Sequence, residues 1–247
     1  MLLSDDDRGD YSPTLTPGQR MLWEWYTDAL SRVLSLAGRS QVHVIHNGDV
    51  CQGTRYGDGL MSNRIADHLR IAAANMAPWM AQPQVKSLRL VTGTGAHDFG
   101  EGTAEETVAQ MLGKRVSLAY HDLIDAGGGY LIDVAHHGPH TGIREWTRGN
   151  VARLYLMDRL LADDPPAHLY ARAHRHDSIR VAVYRNHVMH NLIVTPSWQL
   201  PGGYVSQVAQ SPSVIRCGLW ALELVDGGLV DAHEYLYTMD LRRRVTL

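Results

Sequence analysis

The chain has 247 residues, with 23 Lys and Arg against 26 Asp and Glu, a formal net charge of -3. That near balance excludes a protein that coats nucleic acid or an anionic membrane by bulk charge, and two cysteines exclude a disulfide framework. No stretch approaches the roughly 18 apolar residues of a membrane-spanning helix, and the start has no cationic segment followed by an apolar run, so a cytoplasmic protein without a membrane partner is expected.

Residues 1–15 are polar, carry Asp5, Asp6, Asp7 and Asp10, and show no apolar periodicity; they are expected to form a loose arm before a single domain over 16–247. Thr16-Pro17 then places a cap and an N1 proline before apolar residues at helical spacing, which stop at Gly38. The run 42–46 is short and β-branched, and predicts a buried strand ending at Asn47-Gly48-Asp49. A helix is predicted over 62–81 and a strand over 87–91, the latter leading into Gly95-Ala96-His97-Asp98. Thr103 and Glu106 form a capping-box pattern opening a short helix that stops near Gly113.

Strands are predicted at 116–120 and 130–135, the second ending at His136-His137-Gly138. A helix over 149–162 is stopped by Pro165-Pro166, and a strand at 169–173 ends at His174-Arg175-His176. From Ile179 onward the chain reads as strands, with hairpin signals at Arg185-Asn186 and Asp226-Gly227-Gly228. Strand, loop and helix alternate in the first half, so the fold class is α/β, with mixed sheets and helices outside them.

Histidine is over-represented, at 14 residues, and imidazole is both the commonest metal ligand and the usual acid-base group near neutrality. Four apolar strands each end in a loop bearing Asp or His: Gly48-Asp49, Ala96-His97-Asp98, His136-His137 and His174-Arg175-His176. In open α/β sheets such loops converge on one crevice. The pattern has the logic of a binuclear metal site, where a carboxylate bridges two divalent ions and neutral imidazoles complete each shell. Taken singly, each residue also fits an inert turn or strand-end role. His43 and His46 are expected in the core or behind the ligands, His140 near the site or on the surface, and Cys51 as a small buried residue.

These blocks resemble, in order, the signatures of the calcineurin-like metallophosphoesterases. Gly48-Asp49-Val50-Cys51-Gln52-Gly53 is similar to the Gly-Asp block, and Gly95-Ala96-His97-Asp98 to the Gly-Asn-His-Asp/Glu block. His136-His137-Gly138 is similar to the single-histidine block, and Ala173-His174-Arg175-His176 to the Gly-His-x-His block. The resemblance implies a four-layer α/β/β/α sandwich of two mixed sheets flanked by helices. It also implies metal ligands at Asp49, at His136 or His137, at His174 and at His176, with His97 near the leaving group and oriented by Asp98. The implied cofactors are one or two divalent ions (Mn, Fe, Zn or Ni). The implied reaction is hydrolysis of a phosphodiester or phosphomonoester by a metal-bound hydroxide.

Two departures shape the expectation. The family's opening Asp-x-His block has no counterpart, as though a first strand were absent, and Ala96 replaces a ligating Asn, leaving Thr92, Thr94 or water for that position. The first metal would keep Asp49 and His176, whereas the second would keep Asp49, one histidine of the 136/137 pair and His174. One well-held ion, at the second position, is therefore expected. Three functions stay open: a phosphoesterase, a catalytically silent metal-binding or interaction module on the same fold, and a single-ion histidine nuclease of another fold. The acidity favours a small phosphate-ester substrate over long nucleic acid, Arg144 and Arg148 are candidate phosphate contacts, and an unpaired sheet edge would suit a homo-oligomer.

Overall fold

The computed structural model describes residues 3–5, 9–11, 14–53, 60, 62–95, 102–140, 147, 149–200, 214–240 and 242. The leading segment forms a small antiparallel pair, β1 (Leu3–Asp5) with β2 (Gly9–Tyr11), where the sequence suggested a loose arm. Strands of three residues give no alternation to read. Helix α1 (Pro17–Ala37) is fixed at both ends by local chemistry. The Thr16 hydroxyl accepts from the Gln19 backbone N–H while the Gln19 side chain accepts from the Thr16 N–H at 2.9 Å, a reciprocal cap worth about 1 kcal/mol. Gly38, at φ 56°, ends the helix by donating to Leu34 O.

Strands β3 (Val42–His46), β4 (Val85–Val91) and β5 (Val116–Ala119) form a parallel sheet in the order β3-β4-β5. Their crossovers are α2 (Ile65–Met80) and α3 (Ala104–Leu112). Ala72, Ala73 and Met76 of α2 and Val108 of α3 bury Leu88 and Leu90 of the central strand. In an adjoining cluster Tyr26, Leu30 and Val33 of α1 pack with Val85 and with Trp79 of α2. Strand β3 is paired on one side alone among the described residues, and its His43 and Ile45 are exposed. The expectation of a fully buried strand and of a core position for His43 is thereby corrected: an edge position leaves alternate side chains open, and His43 Nδ1 lies 2.8 Å from the Ser87 hydroxyl.

The second sheet has the order β6-β7-β8-β10-β9, built from β6 (His121–Asp125), β7 (Leu131–Ala135), β8 (Leu169–Arg172), β9 (Ile179–Arg185) and β10 (Val188–Val194). Its three central strands are parallel and its two outer strands antiparallel to them. Helix α4 (Asn150–Ala162) covers one face, burying Ala152, Leu156 and Leu160 against Tyr170, Leu192 and Val194. The other face buries Ile132, Val134, Leu169 and Ile193 against Val91, Trp220 and Leu222. Burial on both faces explains why Leu192, Ile193 and Val194 read as a continuous apolar run. Strands β11 (Val214–Val225) and β12 (Gly228–Asp240) form a long hairpin closed by Asp226-Gly227, both at positive φ.

The chain is thus mixed α/β with several sheets. Among the described residues the five-stranded sheet is mixed, the three-stranded one parallel and the hairpin antiparallel. No helix among the described residues is long and apolar enough to cross a membrane.

Candidate metal centre

Three parallel strands deliver the site. β3 ends at His46 and turns through Gly48 (φ 90°) and Asp49 (φ 54°); β7 ends immediately before His136; β8 ends two residues before His174 (φ 69°). Carboxyl ends of parallel strands converge, and so residues from two sheets meet here. Two glycines permit the approach. A Cβ on Gly48 would lie 2.2 Å from His136 Nδ1, and one on Gly93 would lie 2.2 Å from Asp49 Oδ1 and 2.3 Å from Asp49 N. No side chain larger than hydrogen fits at either position.

Asp49, His136 and His174 each bring a ligand atom to a common point, all within 4.8 Å of one another. Asp49 Oδ2 is 3.0 Å from His136 Nε2 and 3.9 Å from His174 Nδ1, and the two ring nitrogens are 3.2 Å apart. The other oxygen, Oδ1, accepts from the Thr94 N–H at 2.7 Å and from the Thr94 hydroxyl at 3.1 Å, which orients the carboxylate. His136 Nδ1 lies 2.6 Å from the Asn47 carbonyl and must donate to it, because a carbonyl has no proton to give. In the neutral ring that leaves a lone pair on Nε2, aimed at a carboxylate oxygen. A lone pair on Nε2 facing a carboxylate oxygen is repelled unless a proton or a cation lies between them.

The electrostatics follow. Burial opposes ionisation of Asp49, but hydrogen bonds from His136, His174 and the Thr94 backbone outweigh it and hold the carboxyl well below the usual range. Burial likewise disfavours charge on His136, yet the Asp49 hydrogen bond, the Asn47 carbonyl and the negative charges of Asp49 and Glu105 raise its pKa. His137 moves the other way, through its own burial and then the charges of His136 and His174. Among the described residues His46 Nδ1 and both side-chain polar atoms of Asn47 are enclosed without a hydrogen-bond partner, and burial pushes His46 down to about 4.

Of the residues singled out by sequence, Asp49, His136 and His174 are brought together. His136, at 3% exposure, is the one of its pair that joins the cluster; His137 is exposed, its ring centroid 5.1 Å from that of His136 and 4.9 Å from that of His174. His176 is exposed and not in the group. Ala96, His97, Asp98, Arg144 and Arg148 lie outside the described residues. Thr94 acts on the Asp49 carboxylate. Two contributors had no signal in the sequence: the Asn47 carbonyl, and Glu105, 1% exposed in α3, whose Oε1 accepts the Val50 N–H at 3.1 Å behind Asp49.

No protein-family model matches this chain, and no curated protein matches it.

Proposed function

We propose that this chain is a metal-dependent phosphoesterase, hydrolysing a phosphodiester or phosphomonoester at the Asp49–His136–His174 cluster. The observation that carries the reading is the convergence of one carboxylate oxygen and two imidazole nitrogens, all within 4.8 Å of one another. Two histidines and one carboxylate form a donor set suited to Mn, Fe, Zn or Ni. When bound, the ion supplies a Lewis acid that polarises a phosphoryl oxygen and acidifies water. The residues do the rest. Thr94 holds the carboxylate in orientation, the Asn47 carbonyl fixes the His136 tautomer, and Gly48 and Gly93 let the loops close on one another. His97 is assigned the proton to the leaving group, with Asp98 to orient it, on the sequence resemblance alone.

The same reading extends to the architecture and the setting: a four-layer sandwich, one well-held ion per chain, and a small cytoplasmic substrate. Hydrolysis of an aryl phosphodiester and an aryl phosphomonoester with added Mn²⁺, in the wild type and in Asp49→Ala, tests it. Turnover lost in Asp49→Ala supports it. Stoichiometric Mn²⁺ binding without turnover of either ester leaves the silent metal-binding module that Ala96, in place of an Asn ligand, would suit.

A further inference from the structure

The residue between the two histidines of the last block has no part in the cluster, yet it is the cation nearest in sequence to it. Among the described residues Arg175 has one hydrogen bond, from a terminal guanidinium nitrogen to His140 Nε2 at 3.1 Å. Its Nε is enclosed, without a hydrogen-bond partner among the described residues. Other arginines of the fold are neutralised: Arg172 by Asp133, Arg89 by Asp122, Arg159 by Asp163 and Arg242 by Asp240. Arg175 faces no carboxylate among the described residues. It follows His174 directly in the chain, and the His137 ring stands 4.9 Å from that of His174.

An unneutralised guanidinium beside a cation site has one chemical complement, an oxyanion. Its terminal donors form a planar fork that matches two oxygens of a phosphoryl group. Lone-pair donors hold the cation, while Arg175 offers N–H groups alone, so the two features take opposite charges. We propose that Arg175 is the anion-binding residue of this site, its guanidinium taking non-bridging oxygens of the substrate's phosphoryl group, with His140 holding the guanidinium from behind. This rests on the phosphoesterase reading and names the part of the substrate that is gripped.

The probe is inorganic phosphate, titrated calorimetrically into the Mn²⁺-loaded protein, with Mn²⁺ affinity measured separately. The expected result is that Arg175→Gln weakens phosphate binding about tenfold or more, roughly the loss of one charge-assisted pair. Arg175→Lys, which keeps the charge but not the fork, is expected to fall between the two, and Mn²⁺ affinity is expected to stay within about twofold. Wild-type phosphate affinity in a folded Arg175→Gln overturns the proposal, as does an equal loss of Mn²⁺ affinity, which would make Arg175 a support of the cluster. If Arg175→Gln does not fold, Arg175→Lys decides: affinity equal to wild type removes the fork from the argument. A wild type that binds Mn²⁺ but no phosphate refutes the anion site and leaves the metal centre standing; one that binds no Mn²⁺ refutes both.

Discussion

His136 Nε2 lies 3.0 Å from Asp49 Oδ2, and so a ring carried by the five-stranded sheet touches a carboxylate carried by the three-stranded one. Because Nδ1 of the same ring donates to Asn47, an ionised Asp49 accepts from this ring only if the ring is doubly protonated or a cation takes the proton's place.

Metal and proton therefore compete for His136. The raised pKa of this ring means that the metal-free protein keeps a proton there above pH 6.5, and binding must displace it. Mn²⁺ affinity should rise with pH through that range, with release of up to about one proton per ion, read by calorimetry in buffers of different ionisation enthalpy. An ion at about 100 times its Kd should add roughly 2.7 kcal/mol and raise Tm by about 5–10 °C. His136→Ala should abolish both effects.

Replacing Gly93 or Gly48 with Ala should destabilise the fold by roughly 2–4 kcal/mol and remove metal binding. Each Cβ would stand 2.2 Å from a ligand residue's side chain, and Gly48 also sits at φ 90°. Gly38→Ala is the control. It has positive φ but nothing within 4 Å, so a loss of about 1 kcal/mol without effect on metal binding is expected from urea unfolding.

With chelator present, stability should fall as pH drops from about 6.5 to about 4. His46 is neutral in the folded protein until about pH 4, while the unfolded chain takes up a proton near 6.5, so acid favours unfolding across that window. His137, also lowered by burial, acts in the same direction. His136 is protonated in both states below 6.5 and contributes no slope there. Asp49, held low, resists protonation until below the window and then loses its contribution. Urea unfolding at pH 4.5, 5.5 and 6.5 measures the loss, which should shrink by of order 2 kcal/mol across the window in His46→Gln.

The pair Arg172–Asp133 is the buried electrostatic anchor between β7 and β8, with Arg172 1% exposed and further bonded to the Tyr155 hydroxyl and the carbonyls of Asp133 and Ala171. Arg172→Met alone should lower stability by about 3–5 kcal/mol, because it leaves the buried Asp133 carboxylate with the more exposed His121 ring, 2.9 Å away, in place of a guanidinium. The double variant Arg172→Met, Asp133→Leu should recover much of that loss in thermal unfolding.

Much of this was legible in the sequence because parallel strands buried on both faces are written as plain apolar runs, and because each run that ends the site stops at Asp or His. α1 was readable to its last residue from Thr16, Pro17 and Gly38. β6 was not: its residues alternate between exposed and half-buried, Asp122 and Asp125 interrupt the pattern, and Tyr120 alone separates it from β5. Nor could the sequence choose between His136 and His137. Adjacent residues differ by which side of the strand end they leave from, and that depends on how β7 sits against Asn47. Glu105 was invisible because nothing local marks a helix-first-turn carboxylate as buried behind another loop.

Because Asp49 enters from one sheet and His136 and His174 from the other, an ion held by all three would act as a latch on the local opening of the core. The two sheets could then no longer part at this end without losing the ion. Amide protons at the ends of β3, β7 and β8 would exchange more slowly with metal bound, while those of the distant β11–β12 turn would keep their rate. A chain that holds its ion through exchange would thus carry a record of occupancy in the kinetics of its backbone.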